Sequence, residues 1–207
     1  MSVSSLARPG RFLYFGFGSN LLRERLRLAN KSAKFQATGR LSGYRLEFAD
    51  PSHSLPQSDR DKAQRTWHGG AATIVEADAQ KFVFGTVWSL ADGDSDSLDS
   101  QEGVDSGIYE RISVTVRLLD SGQEVRCRSY RMVRCQPMAP SPHYLDIILR
   151  GAVQSGFPAD YVDNLRKRQH NGYAGECIKY FEVLRQCAAA ADDVPPCQID
   201  ALRGLQF

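Results

Sequence analysis

Apolar and polar positions alternate in short runs along the first part of the chain, and these runs predict strands. Residues 12–17 form an aromatic and aliphatic run that is typical of a buried strand. Gly16 and Gly18 at its end permit backbone angles and close approaches that side chains would block. From Leu21 onward, apolar residues recur at helical spacing, and Ser19 or Asn20 can cap that helix. The pattern therefore predicts a strand, a glycine-rich turn and a helix in direct succession.

Five further stretches have the composition of strands. Residues 39–48 end in an alternation that puts Tyr44, Leu46 and Phe48 on one face, which predicts a half-buried strand. The apolar runs 71–75 and 82–90 are separated by a polar turn and predict a strand pair deep in the core. Residues 112–118 and 124–133 flank an Asp-Ser-Gly turn and predict a β-hairpin.

Helices are predicted between and after these strands. Residues 95–101 form one or two helical turns that Gly103 ends. Ser141 caps a helix that begins at Pro142 and runs to about residue 156, and Pro158 begins another. Residues 176–187 form a last amphipathic segment. The polar residues 50–65 predict a surface loop.

Strands with irregularly inserted helices do not give the regular alternation of a parallel α/β fold. They predict a compact α+β fold, in which a small curled mixed sheet or β-barrel is flanked by helices. A chain of 207 residues suits one sizeable core. We expect a single domain over residues 1–187, followed by a loosely held tail at 188–207.

Composition narrows the class of protein. The chain is 42% hydrophobic and 24% charged with a formal net charge of +2, which argues against a disordered chain or a strongly basic nucleic-acid binder. No apolar stretch approaches the roughly 20 residues that span a bilayer. We expect a cytoplasmic protein, although the first eleven residues, rich in Ser and Arg, faintly resemble a mitochondrial presequence. Five cysteines without a C-x-x-C pair indicate neither a disulfide framework nor a zinc site.

The glycine-rich turn is suited to holding an anion, because backbone N–H groups at a helix start point back toward it. Two familiar nucleotide motifs do not fit. A dinucleotide-binding G-x-G-x-x-G starting at Gly16 would need glycine at Leu21, and the Gly-Lys-Ser/Thr of a P-loop does not follow. Taken alone, a glycine-rich turn of this kind is usually just a connection between strand and helix.

Glu102 is the candidate for proton transfer. It lies at the end of the predicted helical turn beside Gly103 and Val104, where apolar neighbours could raise the pKa of its carboxyl. Taken alone, a glutamate at a helix end is usually solvated. His68 also invites a catalytic interpretation, but its place between Trp67 and Gly69, ahead of a core strand, favours a structural hydrogen bond.

Six segments in order give the chain a family resemblance from about residue 13 to about residue 183. They are Tyr-Phe-Gly-Phe-Gly-Ser-Asn-Leu-Leu at 14–22, Thr-Trp-His-Gly-Gly at 66–70, Leu-Asp-Ser-Gln-Glu-Gly-Val at 98–104, Cys-Arg-Ser-Tyr at 127–130, Pro-Ser-Pro-His-Tyr at 140–144 and Asn-Gly-Tyr at 171–173. With these the chain resembles the γ-glutamylcyclotransferases. One segment would be weak evidence, but six in order are specific.

The resemblance implies an activity without a cofactor: conversion of an L-γ-glutamyl-L-amino acid into 5-oxoproline and a free amino acid, and also a homodimer. Glu102 matches the family's acid/base residue. The substrate-binding residues that the resemblance implies are the loop residues Tyr14, Phe15, Gly16, Phe17, Gly18, Ser19 and Asn20, together with Tyr109, Tyr130 and Tyr144, with Tyr144 favoured most. Phe17 departs from the family pattern, which has a tyrosine there.

Two alternatives remain open. Related cyclotransferases act on glutathione or γ-glutamyl-lysine, but their loops usually read Gly-Ser-Leu or Gly-Thr-Leu, so Asn20 favours the γ-glutamyl amino acid branch. The other alternative is a binding module of the same fold without turnover. Retention of Glu102 argues against that module, although Phe17, which lacks the hydroxyl of the family tyrosine, keeps the alternative open.

Overall fold

The computed structural model describes residues 8–191, except for the side chains of Lys62 and Ala191. Seven strands and six helices lie in this part of the chain. The strands are β1 Arg11–Gly16, β2 Lys34–Ser42, β3 Tyr44–Ala49, β4 Ala71–Glu76, β5 Phe82–Ala91, β6 Tyr109–Leu118 and β7 Glu124–Met132. The helices are α1 Arg23–Arg27, α2 Gln57–Trp67, α3 Ser95–Glu102, α4 Pro142–Gln154, α5 Ala159–Arg166 and α6 Ile178–Ala191.

Five strands close into a barrel in the order β1-β5-β2-β6-β7. The ring is closed by a parallel pairing of β1 with β7, at Tyr14 and Arg128, whereas the other pairings are antiparallel. Alternate residues of these strands, such as Val114, Val116 and Leu118 of β6, are buried in the core. The predicted α+β fold with a curled mixed sheet or barrel is confirmed.

The remaining strands, β3 and β4, form a separate antiparallel sheet, which corrects two predictions. The predicted strand at 39–48 is two strands, because Gly43 turns the backbone with a φ of 79°. The runs 71–75 and 82–90 are strands but do not pair with each other: β4 pairs with β3, and β5 pairs with β1 and β2. Both runs are equally apolar, so their composition could not assign them to different sheets.

Two local predictions are confirmed in detail. The hairpin of β6 and β7 pairs from Tyr109 opposite Met132 to Arg117 opposite Glu124. At the start of α4, the Ser141 hydroxyl accepts a hydrogen bond of 3.1 Å from the backbone N–H of Tyr144, and Pro142 occupies the first turn.

Residues 50–65 are not a surface loop throughout, because α2 spans Gln57–Trp67. The sequence of α2 has no continuous apolar stripe, so no hydrophobic period indicated a helix. It ends at His68, which adopts the left-handed conformation with a φ of 56°. Trp67 at its C-terminal end is only 7% exposed and anchors α2 to the core.

Helix α4 packs against Leu21 and Leu22, which directly follow the glycine-rich turn. A Cβ on Gly151 would lie 2.5 Å from both the Leu21 Cβ and the Leu22 backbone nitrogen. The missing side chain therefore allows α4 to pack directly against the segment that follows the turn. This contact holds the turn against the barrel.

The C-terminal helix α6 continues to Ala191, beyond the predicted start of the tail at residue 188. The rest of the predicted tail, 192–207, and the segment 1–7 lie outside the described residues. Within residues 8–191 no helix is long and apolar enough to cross a membrane. The four cysteines in that range, Cys127, Cys135, Cys177 and Cys187, are free thiols.

Candidate active site

Glu102 is the last residue of α3, and the chain turns sharply after it. Gly103 adopts a φ of 65°, and its N–H bonds back to the Ser100 carbonyl at 3.1 Å. Leu98, one turn earlier, has no exposed surface and anchors the helix. The end of α3 predicted from the sequence is therefore correct, and it presents the Glu102 carboxylate from a rigid turn.

The Glu102 carboxylate faces the glycine-rich turn. Its Oε1 accepts a hydrogen bond of 2.8 Å from the Asn20 side-chain amide, and the Tyr14 hydroxyl lies 3.5 Å from the same oxygen. The Asn20 amide also donates to the Tyr14 hydroxyl at 3.0 Å. The predicted capping role of Ser19 or Asn20 is wrong, because neither the single 3-10 turn at Ser19–Leu21 nor α1 has a side-chain cap. The Asn20 side-chain amide instead donates a hydrogen bond to Glu102.

A chain of side-chain amides fixes the orientation of Asn20. The Gln101 amide donates to Asn20 Oδ1 at 3.0 Å, and the Asn30 amide donates to Gln101 Oε1 at 3.2 Å. Because Asn20 Oδ1 is already used as an acceptor, its NH2 group is directed to Tyr14 and Glu102. This chain of amides therefore keeps the NH2 group of Asn20, rather than its carbonyl oxygen, facing the Glu102 carboxylate.

Burial raises the pKa of Glu102 to about 7. Desolvation disfavours the charged carboxylate, and the positive charge of Arg25 and hydrogen bonds from neighbours such as Tyr14 and Asn20 only partly offset it. A carboxyl with a pKa near neutrality can both accept and return a proton at ordinary pH. The sequence-based expectation of a raised pKa is borne out by this environment.

Two connected cavities meet at Glu102. The smaller, which we call the inner recess, has a volume of about 30 Å³ and is lined by the turn and by several tyrosines. The larger, the outer chamber, has a volume of about 500 Å³ and extends to α2. Ser19, Asn20, Glu102, Tyr109 and Tyr144 line both. The carboxylate is therefore at the junction, where a ligand spanning both cavities would have its middle.

Three predicted tyrosines line the inner recess, and each hydroxyl already has a protein partner. Tyr109 donates to the Ala72 carbonyl at 2.7 Å, and Tyr130 donates to Asp99 Oδ1 at 2.7 Å. Tyr144 instead accepts from the Ala72 N–H at 3.1 Å, so its own proton is not used in that bond. Of the three, Tyr144 has the hydroxyl best placed to donate to a ligand.

The predicted loop residues divide into two groups. Tyr14, Phe17, Gly18, Ser19 and Asn20 line the inner recess. Phe15 and Gly16 line neither cavity.

These last two residues form part of β1. The Phe15 carbonyl accepts from the Ser129 hydroxyl at 2.9 Å, and both residues pair with β5. Their predicted contact with substrate is not supported by this geometry, and they hold the turn in place.

Sequence reasoning missed Arg25 and α2. Arg25 is only 7% exposed and lines the outer chamber together with Asp59, Ala63 and Trp67 of α2. The three α2 positions follow helical spacing, but their mixed polarity gave no apolar period. The available signal for Arg25 was its place beside Leu26 and one turn after Leu21 and Leu22, on the buried side of a short helix.

His68 lines neither the inner recess nor the outer chamber, but a separate surface cavity of about 460 Å³. Its ring stacks on Tyr173 with centroids 4.1 Å apart, and its carbonyl accepts from the Asn171 amide at 2.6 Å. The segments 66–70 and 171–173 therefore pack against each other on the surface.

Within residues 8–191, no group of three or more His, Cys, Asp or Glu side chains could hold a metal ion.

A closed barrel with one buried acid facing a glycine-rich turn defines the class of this chain, and residues 82–165 match the model of the AIG2-like family. Gamma-glutamylcyclotransferases from Bos taurus and Homo sapiens are 42% and 40% identical over 171 residues, 83% of this chain and 86% of each relative. A solved gamma-glutamyl cyclotransferase structure superposes with a TM-score of 0.75 at 38% identity, covering 85% of this chain and 99% of that one. The chain belongs to the gamma-glutamylcyclotransferase family.

Proposed function

We propose that the protein converts L-γ-glutamyl-L-amino acids into 5-oxoproline and a free amino acid, with Glu102 as the general acid and base. One observation carries this proposal: a carboxyl with a pKa of about 7 lies between two cavities and opposite a glycine-rich turn. Family membership supports the same reaction.

The reaction needs little beyond positioning and proton transfer. The glutamyl α-amine and γ-carbonyl belong to one molecule, so the pocket has only to hold the folded conformer. Glu102 takes a proton from the α-ammonium, and the amine attacks the γ-carbonyl. The ring nitrogen then loses a second proton, and the γ-carbon–nitrogen bond to the released amino acid breaks. Two ammonium protons thus end on the leaving nitrogen, which departs as an ammonium group.

The turn offers donors for negative charge. Among the described residues, the backbone amides of Gly18, Ser19 and Asn20 donate no hydrogen bond to another backbone group. A ligand in the inner recess could accept from them, either through its glutamyl carboxylate or through the oxyanion that forms during attack. A side chain at Gly18 would be crowded, since a Cβ there would lie 3.0 Å from the Ala72 Cβ, closer than most Cβ contacts.

The test is Glu102→Gln, assayed by release of 5-oxoproline from γ-glutamyl-alanine. We expect activity to fall by at least about a hundredfold, the scale of general acid–base catalysis, while ligand binding and the circular dichroism spectrum are retained. Glu124→Gln, which removes an exposed carboxylate at the start of β7, is the matched control. Near-normal turnover in Glu102→Gln would exclude Glu102 from the mechanism.

Substrate choice is tested with γ-glutamyl-alanine, glutathione and γ-glutamyl-lysine, each supplied separately to the purified protein. We expect γ-glutamyl-alanine to be turned over best, because Asn20 occupies the position that distinguishes this branch. A preference for glutathione or the lysine derivative would assign the chain to one of the alternative branches. Binding of all three without turnover would identify a non-catalytic module.

We also propose that the predicted domain extends to the end of α6 at Ala191 and forms one catalytic unit. As the family resemblance implies, we propose that the protein is a homodimer in the cytoplasm. Light scattering coupled to gel filtration tests the oligomer, since a monomer has a mass of 23.0 kDa. Fractionation of cells that produce the full chain tests the location. A monomeric mass or recovery from mitochondria would contradict the corresponding proposal.

A further inference from the structure

Arg25 is a buried cation in the wall of the outer chamber. It is only 7% exposed, and burial lowers the pKa of its guanidinium. Its Nε has no hydrogen-bond partner, and no ion pair joins Arg25 to a carboxylate within residues 8–191. Keeping a desolvated guanidinium in this state costs free energy, which a bound anion would offset. The side chain is thus a candidate anion-binding group.

Packing holds the guanidinium in place. Leu22 and Leu26, on either side of Arg25 in the sequence, have no exposed surface and fix α1 to the core. The guanidinium lies over the Trp67 ring, 5.9 Å from its centroid, and Trp67 packs on Tyr144 at 5.0 Å. An aromatic face orients a guanidinium without neutralising it. The charge therefore stays available to a ligand in the outer chamber.

The position of Arg25 relative to Glu102 indicates which ligand group it meets. Arg25 lines the outer chamber and not the inner recess, whereas Glu102 lines both. In the proposed reaction, Glu102 contacts the glutamyl amine and the leaving nitrogen, so the scissile amide lies at the junction. The inner recess has room only for one small group, and the turn there offers backbone amides to the glutamyl α-carboxylate. With that carboxylate held by the turn, the released amino acid extends into the outer chamber.

We propose that Arg25 binds the α-carboxylate of the amino acid that the reaction releases, which makes Arg25 a specificity-determining residue. This inference rests on the proposed function and deepens it. A planar guanidinium pairs with a carboxylate through two parallel hydrogen bonds, and both bonds form only when the carboxylate lies at one distance and orientation. The preferred substrate is a γ-glutamyl α-amino acid with a free carboxylate one carbon from the scissile nitrogen.

The same contact disfavours two other classes of substrate. In a γ-glutamyl peptide with a further residue, such as glutathione, the terminal carboxylate is moved outward by about 3.5 Å, the length of one residue. In a γ-glutamyl alkylamide the carboxylate is absent, and Arg25 stays unpaired. Loss of a hydrogen-bonded charge pair of this kind lowers kcat/KM by about 10- to 100-fold.

The experiment compares γ-glutamyl-alanine with γ-glutamyl-ethylamide, which keeps the alkyl group and lacks the carboxylate. In the wild type we expect kcat/KM to be about 10- to 100-fold higher for γ-glutamyl-alanine. Arg25→Gln should lose this preference, because the lost carboxylate contact affects γ-glutamyl-alanine only, whereas the lost positive charge near Glu102 affects both substrates equally. Arg25→Lys should keep part of the preference. Arg27→Gln is the matched control, because Arg27 lies in the same helix and bonds outside the cavities, to the Ala33 carbonyl. It should keep the wild-type ratio.

Two results would overturn the inference while leaving the proposed function intact. One is an equal loss on both substrates in Arg25→Gln, which would mean that Arg25 acts through Glu102 or the fold. The other is a wild-type kcat/KM that is nearly the same for γ-glutamyl-alanine and γ-glutamyl-ethylamide. This measurement uses the wild type alone, so it remains a test even if Arg25→Gln does not fold. Failure of the proposed function looks different, because the wild type would then release 5-oxoproline from neither substrate.

Discussion

The Asn20 side-chain amide donates a 2.8 Å hydrogen bond to the Glu102 carboxylate across 82 positions of sequence. This contact joins the turn after β1 to the end of α3. It also favours the charged form of a carboxylate whose burial favours the neutral form. The balance of these two effects places the pKa of Glu102 at about 7.

The pH dependence of turnover should report this balance. Because Glu102 accepts a proton in the first step, we expect kcat/KM to rise about tenfold per pH unit below pH 7 and to level off above it. A continuous assay of 5-oxoproline release between pH 5 and 9 measures the profile. A flat profile across this range would show that the titration of Glu102 does not limit the reaction.

Asn20→Ala should move that profile. Loss of the donor removes a contact that lowers the pKa of Glu102, so the acid limb should shift to higher pH by about one unit. The exposed residue Asn164 on α5 provides the control Asn164→Ala, which should leave the limb unchanged. A uniform loss of activity without a shift of the limb would assign Asn20 a purely structural role.

Glu102→Gln should increase stability at neutral and alkaline pH. The pKa of Glu102 is raised in the folded state, so folding favours the protonated form, and the stability that this form provides is present below about pH 4.5 and lost as pH rises through 7. The neutral amide avoids this loss. We expect a gain of about 1 to 3 kcal/mol in the free energy of unfolding at pH 8 that disappears near pH 4.5.

Denaturant unfolding of wild type and Glu102→Gln at the two pH values measures this difference. Equal stability of the two proteins at pH 8 would show that the carboxylate is solvated rather than buried. The measurement does not depend on any substrate.

Tyr109→Phe and Tyr144→Phe form a matched pair. Both hydroxyls bond to Ala72, so each variant should lower the free energy of unfolding by about 1 kcal/mol. The Tyr109 hydroxyl donates to Ala72, whereas the Tyr144 hydroxyl accepts from it and does not use its own proton in that bond. Tyr144→Phe should therefore also reduce kcat/KM by about tenfold or more. Chemical denaturation and the 5-oxoproline assay separate the two effects. Equal activity in both variants would contradict a substrate contact by Tyr144.

Features determined by neighbouring residues could be predicted from the sequence. Ser141 and Pro142 specify the start of α4 by capping geometry, and the alternation on either side of Asp120-Ser121-Gly122 specifies the hairpin. Gly103 specifies the end of α3 and so the presentation of Glu102. Each of these features depends on contacts within a few residues, which the local pattern records.

Features determined by distant contacts could not be predicted in the same way. Helix α2 has a polar sequence and is anchored at Trp67 by burial in the core, and its cavity-lining face has mixed polarity. Strands β4 and β5 are similar in composition, and only their partners place them in different sheets. Asn20 has the sequence features of a cap, but a carboxylate from α3 competes for its amide.

The sequence by itself determined most of the short strands and helices, though not α2 or the division between β2 and β3. It also determined the glycine-rich turn and the family whose motifs include that turn and Glu102. The tertiary structure decided which groups meet: it brings Asn20 and Tyr14 to Glu102, buries the carboxylate, and places the charge of Arg25 near it. Among residues 8–191, Arg25 forms no salt bridge. The reason is physical. Backbone preferences act between neighbours in the chain, whereas desolvation and charge act between groups that only folding brings together.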